Sequence, residues 1–88
     1  MSAALHSEPE LGRLRWRCRR GMKELDRLLN AYLERHFQAA DPGEQQRFRD
    51  LLELQDPVLY DFCLGRVRPA SPLQAALIDR IVQGSVHP

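Results

Sequence analysis

The sequence contains no threonine and only one lysine, Lys23, and its β-branched aliphatic residues stop at four valines and two isoleucines. Strands draw on those residue types, and no alternating apolar stretch of strand length occurs in their place. Long apolar runs are missing as well: nothing approaches the ~18 residues that a membrane-spanning helix needs. The segment from Met1 to Leu11 has neither the basic start nor the apolar middle of a secretory signal, and Glu8 and Glu10 do not suit a presequence that avoids acids. The two cysteines, Cys18 and Cys63, form no CxxC or zinc spacing, and His6, His36 and His87 are scattered. The expectation is a reduced, cytoplasmic protein without membrane insertion and without a metal of its own. No phosphate-cradling glycine loop is present.

What remains is an ordinary globular composition, 43% hydrophobic and 28% charged over 88 residues. That length allows one modest core and no large cofactor pocket. Thirteen basic residues against twelve acidic ones leave a net charge of +1, too balanced for a chain whose main work is coating nucleic acid. The charge is uneven in one place: five arginines and no acid lie between Arg13 and Arg20.

The pattern predicts an all-α fold, one domain of about five short helices, ordered from about 8 to 84. Ser7-Glu8-Pro9-Glu10 reads as a capping box opening the first helix. Leu11, Leu14 and Cys18 form its narrow apolar stripe, and Gly21 punctuates it. The second helix runs from about Lys23 to Phe37, with Leu25, Leu28, Leu29, Tyr32, Leu33, His36 and Phe37 on one face. Asp41-Pro42-Gly43-Glu44 starts a third, which buries Phe48, Leu51 and Leu52. Asp56-Pro57 ends that helix, and Asp56 is expected to cap a fourth, which buries Leu59, Phe62 and Cys63 and stops at Gly65. Ser71-Pro72-Leu73-Gln74 opens the fifth, whose apolar face is Leu73, Leu77, Ile78 and Ile81, ending before Gly84. A frayed tail follows from Ser85 to Pro88.

No nucleophile stands beside a base at recognisable spacing, so the chain does not read as an enzyme. Cys18 lies among Arg17, Arg19 and Arg20, which would lower a thiol pKa, but its place in the stripe makes it a buried structural residue first. His36 reads as a histidine at the core edge. The arginine run admits three readings. It is a solvated helix face, or a nucleic-acid contact with Trp16 stacking on a base, or a protein-binding patch built on arginine and tryptophan. Arg13 with Arg17, and Trp16 with Arg20, share faces at a spacing of four, so Trp16, Arg20 and the turn at Gly21 can make one surface. Arg20 and Glu24 form a routine ion pair if the helix is unbroken. If Gly21 breaks it, they flank a junction whose bare backbone a partner can approach closely.

Arg20-Gly21-Met22-Lys23-Glu24 is an RGxxE motif, and the surrounding stretch from Arg13 to Asp26 resembles the signature of the FAD assembly factor SdhE family. Its mitochondrial members are known as succinate dehydrogenase assembly factor 2. A second stretch, Leu51-Leu52-Glu53-Leu54-Gln55-Asp56-Pro57-Val58-Leu59, is similar to the same family in order and spacing, although Phe62 stands where many members carry tryptophan. The resemblance covers about Arg13 to Ile81. It implies a small five-helix fold and a bacterial, cytoplasmic factor that is not itself an enzyme. Such a factor binds the flavoprotein subunit of succinate dehydrogenase, and also that of fumarate reductase, and promotes covalent attachment of FAD to a histidine there. Its partner-binding residues would be Arg20, Gly21 and Glu24, with Trp16, Arg19 and Arg13 beside them. Arg20 would contact the partner near the flavin, and Glu24 would pair with the partner or orient Arg20. The competing reading is a small helical nucleic-acid binder or antitoxin-type regulator that uses the Arg13–Arg20 face.

Overall fold

A computed structural model describes residues 8–86, and these form five helices in the order α1 (Glu8–Arg17), α2 (Lys23–Tyr32), α3 (Pro42–Leu51), α4 (Asp56–Leu64) and α5 (Pro72–Val86). There is no strand among the described residues. One contiguous core takes side chains from every helix: Leu11, Leu14 and Cys18 from the first segment, Leu25, Leu29 and Tyr32 from α2, and Phe48 and Leu51 from α3. Leu59 and Cys63 of α4 and Leu77, Ile78 and Ile81 of α5 complete it. Helix α2 packs most extensively on α5, and α3 and α4 also pack on α5. Most of the residues expected in the apolar stripes are therefore buried, while Leu28, His36 and Phe62 are half-buried at the edge of the core.

The second helix does span Lys23 to Phe37, but its last turn, Leu33–Phe37, is a π turn. In a regular helix Tyr32 and Phe37, five residues apart, point to different faces, since each residue turns the chain by about 100°. The wider turn brings both onto the core. Tyr32 stacks at 4.7 Å and Phe37 at 5.6 Å from the ring of Phe48. The Phe37 carbonyl accepts from the Ala40 N–H at 3.2 Å and also from Gln45 Nε2 at 2.7 Å. His36 packs at the core edge, its ring 5.8 Å from that of Tyr32.

Capping follows the sequence in part. The Asp41 side chain accepts from the Glu44 N–H at 2.7 Å, and Ser71 Oγ accepts from the Gln74 N–H at 3.3 Å. Gly65 closes α4 with φ of 80°, a conformation that suits glycine. The expected Ser7 cap lies outside the described residues. Four expectations are corrected. Gln55, not Asp56, occupies the N-cap of α4, and the Asp56 carboxylate is turned to Arg20 instead. Glu44 does not complete a reciprocal capping box, because its carboxylate turns inward, accepting from Tyr32 Oη at 2.5 Å and from Arg80 Nη1 at 2.9 Å. Leu73 is 59% exposed, since it sits in the first turn of α5 while the buried face is carried by Ala75, Leu77, Ile78 and Ile81. Finally, α5 continues past Gly84 to Val86, so one glycine does not stop a helix that packing already holds.

The Tyr32–Glu44–Arg80 chain joins α2, α3 and α5 through a buried carboxylate. Burial and the Glu44 hydrogen bond both push the Tyr32 hydroxyl well above its ordinary pKa. Replacing Tyr32 by phenylalanine keeps the ring packing and strips one donor from Glu44. The expected loss is about 1–2 kcal/mol, read as a lower urea midpoint with an unchanged slope.

Candidate functional site

Helix α1 ends at Arg17, and the backbone reaches α2 through Cys18, Arg19, Arg20, Gly21 and Met22. Gly21 has φ of 81°, which breaks the helix and leaves Arg20 and Glu24 on either side of a junction. Nothing lies within 4 Å of where a Gly21 Cβ would sit, so the demand for glycine comes from the backbone angle and not from crowding. Asp26 holds this loop from inside α2: its carboxylate accepts the N–H of Arg20 at 2.8 Å and that of Gly21 at 3.3 Å.

The Arg20 side chain turns inward. Only 11% of it is exposed. Nε donates to Asp56 Oδ1 at 2.7 Å, and Nη1 donates to the carbonyls of Arg17 and Leu52, each at 3.0 Å. Nη2 donates to the Leu54 carbonyl. A planar fork of donors suits this set of acceptors, and a lysine ammonium would not. The guanidinium thus pins the α1–α2 loop to the segment between α3 and α4, which carries the second motif. Both stretches of family resemblance meet in this one contact. Arg17 adds an ion pair to Glu53 in the same segment.

The other predicted residues face outward. Glu24 and Gly21 are exposed, as are Arg13, Arg19 and Trp16, the last at 69%. The Arg19 guanidinium lies 5.6 Å from the Trp16 ring centre, a cation–π contact. An open depression of about 390 Å³ is lined by Gly12, Arg15, Trp16, Arg19 and Asn30. Gly21 breaks the helix, so Arg20 and Glu24 flank a junction: Arg20 pairs with Asp56, and Trp16 makes its cation–π contact with Arg19. Arg17, four residues after Arg13 on α1, pairs with Glu53. Sequence reasoning missed Asp26, Glu53 and Asp56 as organisers of the site. The signal for Asp26 was its place one turn inside the helix that follows Gly21.

Cys18 is fully buried, and desolvation pushes its thiol up to about 12 despite the opposing fields of Arg20 and Arg17. Burial likewise raises Cys63 to about 11. Neither thiol has the character of a nucleophile. Among the described residues no group of three or more His, Cys, Asp and Glu side chains gathers to hold a metal, and no helix is long and apolar enough to cross a membrane.

The family model described as "Flavinator of succinate dehydrogenase" matches residues 12–85. The chain is 49% identical over 70 residues to FAD assembly factor SdhE of Methylococcus capsulatus, an alignment covering 80% of this chain and 84% of that one. It is 44% identical over 71 residues to the protein of the same description in Coxiella burnetii, covering 81% and 87%. With that of Aliivibrio fischeri it shares 37% over 79 residues, covering 90% and 92%. No solved structure matches.

Two outcomes follow from the loop geometry. Arg20→Lys should cost about 2 kcal/mol in a urea melt, because one ammonium cannot serve four separated acceptors. The buried thiols set an alkaline limit. In the unfolded chain a thiol ionises near 9, whereas folded Cys18 holds its proton up to about 12. The stabilisation is complete below pH 9 and is lost as pH rises through 12. Melting temperature should therefore fall progressively above pH 9, and less so in Cys18→Ala measured against its own neutral-pH value.

Proposed function

Because the chain belongs to the family of flavinators of succinate dehydrogenase, we propose that it works as an FAD assembly factor that docks through its RGxxE loop onto the flavoprotein that receives FAD. The observation that carries this reading is the loop itself. Arg20 and Asp26 fix the backbone at Gly21 in a left-handed conformation, leaving the bare glycine and Glu24 facing outward. The descriptions of the relatives support this reading and leave the nucleic-acid alternative without support.

The roles divide by orientation. Arg20 is a positioning residue, since its donors are taken up inside the protein. Gly21 offers backbone that a partner can approach without meeting a side chain. Glu24 offers an exposed carboxylate to a basic group of the partner, and Trp16 with Arg19 and Arg13 supplies an aromatic and cationic flank. Tryptophan and arginine are the residue types that most often anchor interfaces. FAD and its acceptor histidine belong to the client, so this chain supplies no reacting group. It favours attachment by holding the client in the geometry the reaction needs. The primary client is the succinate dehydrogenase flavoprotein, that of fumarate reductase is a second, and the encounter takes place in a bacterial cytoplasm.

Two glycines make the test sharp. Gly21 and Gly65 have almost the same φ, 81° and 80°, and each has open space around it. Alanine at either should cost about 1–2 kcal/mol. Gly21→Ala, and Glu24→Ala with unchanged stability, should reduce covalent flavin on the succinate dehydrogenase flavoprotein, read by fluorescence on a denaturing gel in a strain lacking this chain. Gly65→Ala should restore it. Equal rescue by all three variants would show that the loop does not make the contact.

A further inference from the structure

A second polar cluster lies outside the RGxxE loop, where the start of α3 meets α5. A hollow of about 120 Å³ there is lined by Glu44, Arg47, Leu73, Ala76, Leu77 and Arg80. Arg47 is the anomaly. Its Nε is buried without a hydrogen-bond partner. Its Nη1 folds back towards the first turn of α3, 3.3 Å from where a Gly43 Cβ would stand. There a cation faces the positive end of the helix, which is the unfavourable end for it. The neighbouring carboxylate does not answer it, because Glu44 is committed to Tyr32 and Arg80. Arg80 gives only Nη1 to Glu44, and its side chain is 54% exposed. The three charges that line the hollow sum to a net positive wall with unused donors from two arginines, while the Asp41 carboxylate, 3.4 Å from the same Gly43 Cβ position, stands outside the lining and is taken up by the Glu44 N–H. Its other wall is apolar: Leu73 is 59% exposed over Ala76 and Leu77.

We infer that this hollow binds a carboxylate carrying a short aliphatic tail, the anion on Arg47 and Arg80 and the tail against Leu73, Ala76 and Leu77. Arginine forks match carboxylate geometry. A hollow of about 120 Å³ takes a group the size of butyrate. The same chemistry is presented by a free short-chain acid or by the carboxyl side chain of a polypeptide. The inference rests on Arg47 and its surroundings and is independent of the flavinylation reading.

The test is a titration of the isotopically labelled full chain with sodium butyrate, followed by amide chemical shifts, with butanol and sodium chloride as controls. The expected result is saturable shifts centred on Gly43, Glu44, Ala76 and Leu77 with butyrate alone, and affinity about tenfold weaker in Arg47→Gln, the size expected for one lost charge-assisted contact. Arg47 makes no hydrogen bond that folding needs, so Arg47→Gln should melt no lower than the parent in the absence of butyrate. A parallel titration with N-acetylglutamate methylamide separates the sources. Tighter saturation than with butyrate identifies a polypeptide carboxylate, and weaker saturation a free acid. Shifts that never saturate, that chloride reproduces, or that persist undiminished in Arg47→Gln overturn the proposal.

Discussion

One guanidinium joins the two halves of this small protein. Arg20 leaves the loop after α1, crosses to the segment before α4 and engages Asp56 and the carbonyls of Leu52 and Leu54 there. Those carbonyls follow the end of a helix, where main-chain acceptors lack intrahelical donors. Arg20 satisfies them and is in turn held in one orientation. The left-handed turn at Gly21, the direction of α2 and the outward face of Glu24 all depend on where that side chain is anchored. With Asp26 gathering the loop N–H groups from the other side, a stretch without regular secondary structure is tied down from both of its flanks.

The helices were legible because their stripes and breaks are local signals. Leu25 and Leu29 in one helix, and Phe48 and Leu51 in the next, stand at helical spacing, and Gly21 and Gly65 stand where the chain must turn left-handed. Two of the failures share a cause: each concerns a polar side chain whose partner is remote in sequence. Asp56 looks like a cap because aspartate before proline usually is one, yet Arg20, 36 residues away, draws it off. Glu44 looks like the second half of a capping box, yet Tyr32 and Arg80 claim it. The π turn escaped notice because Leu25, Leu29, Leu33 and Phe37 recur every four residues and mask the five-residue step from Tyr32 to Phe37.

The candidate site was legible as a stretch of chain and not as a geometry. The motif located Arg20, Gly21 and Glu24, but nothing in their spacing revealed that the arginine faces in and the glutamate out. A charged residue in a recognised motif invites the assumption of direct contact. Here the structure separates a residue that shapes the loop from residues the loop displays. Cys18, by contrast, was legible from its place in the apolar stripe: desolvation in the core dominates the field of the neighbouring arginines.

The pinned loop also bears on the timing of any encounter. A segment already held in one conformation surrenders little conformational entropy when another surface closes over it. Ordering costs then fall on the other molecule, and the approach is that of two preformed patches, whose association rates vary little among related complexes. Affinity would be set by how long the pair stays together, and the rigid member would act as the template on which the softer one settles.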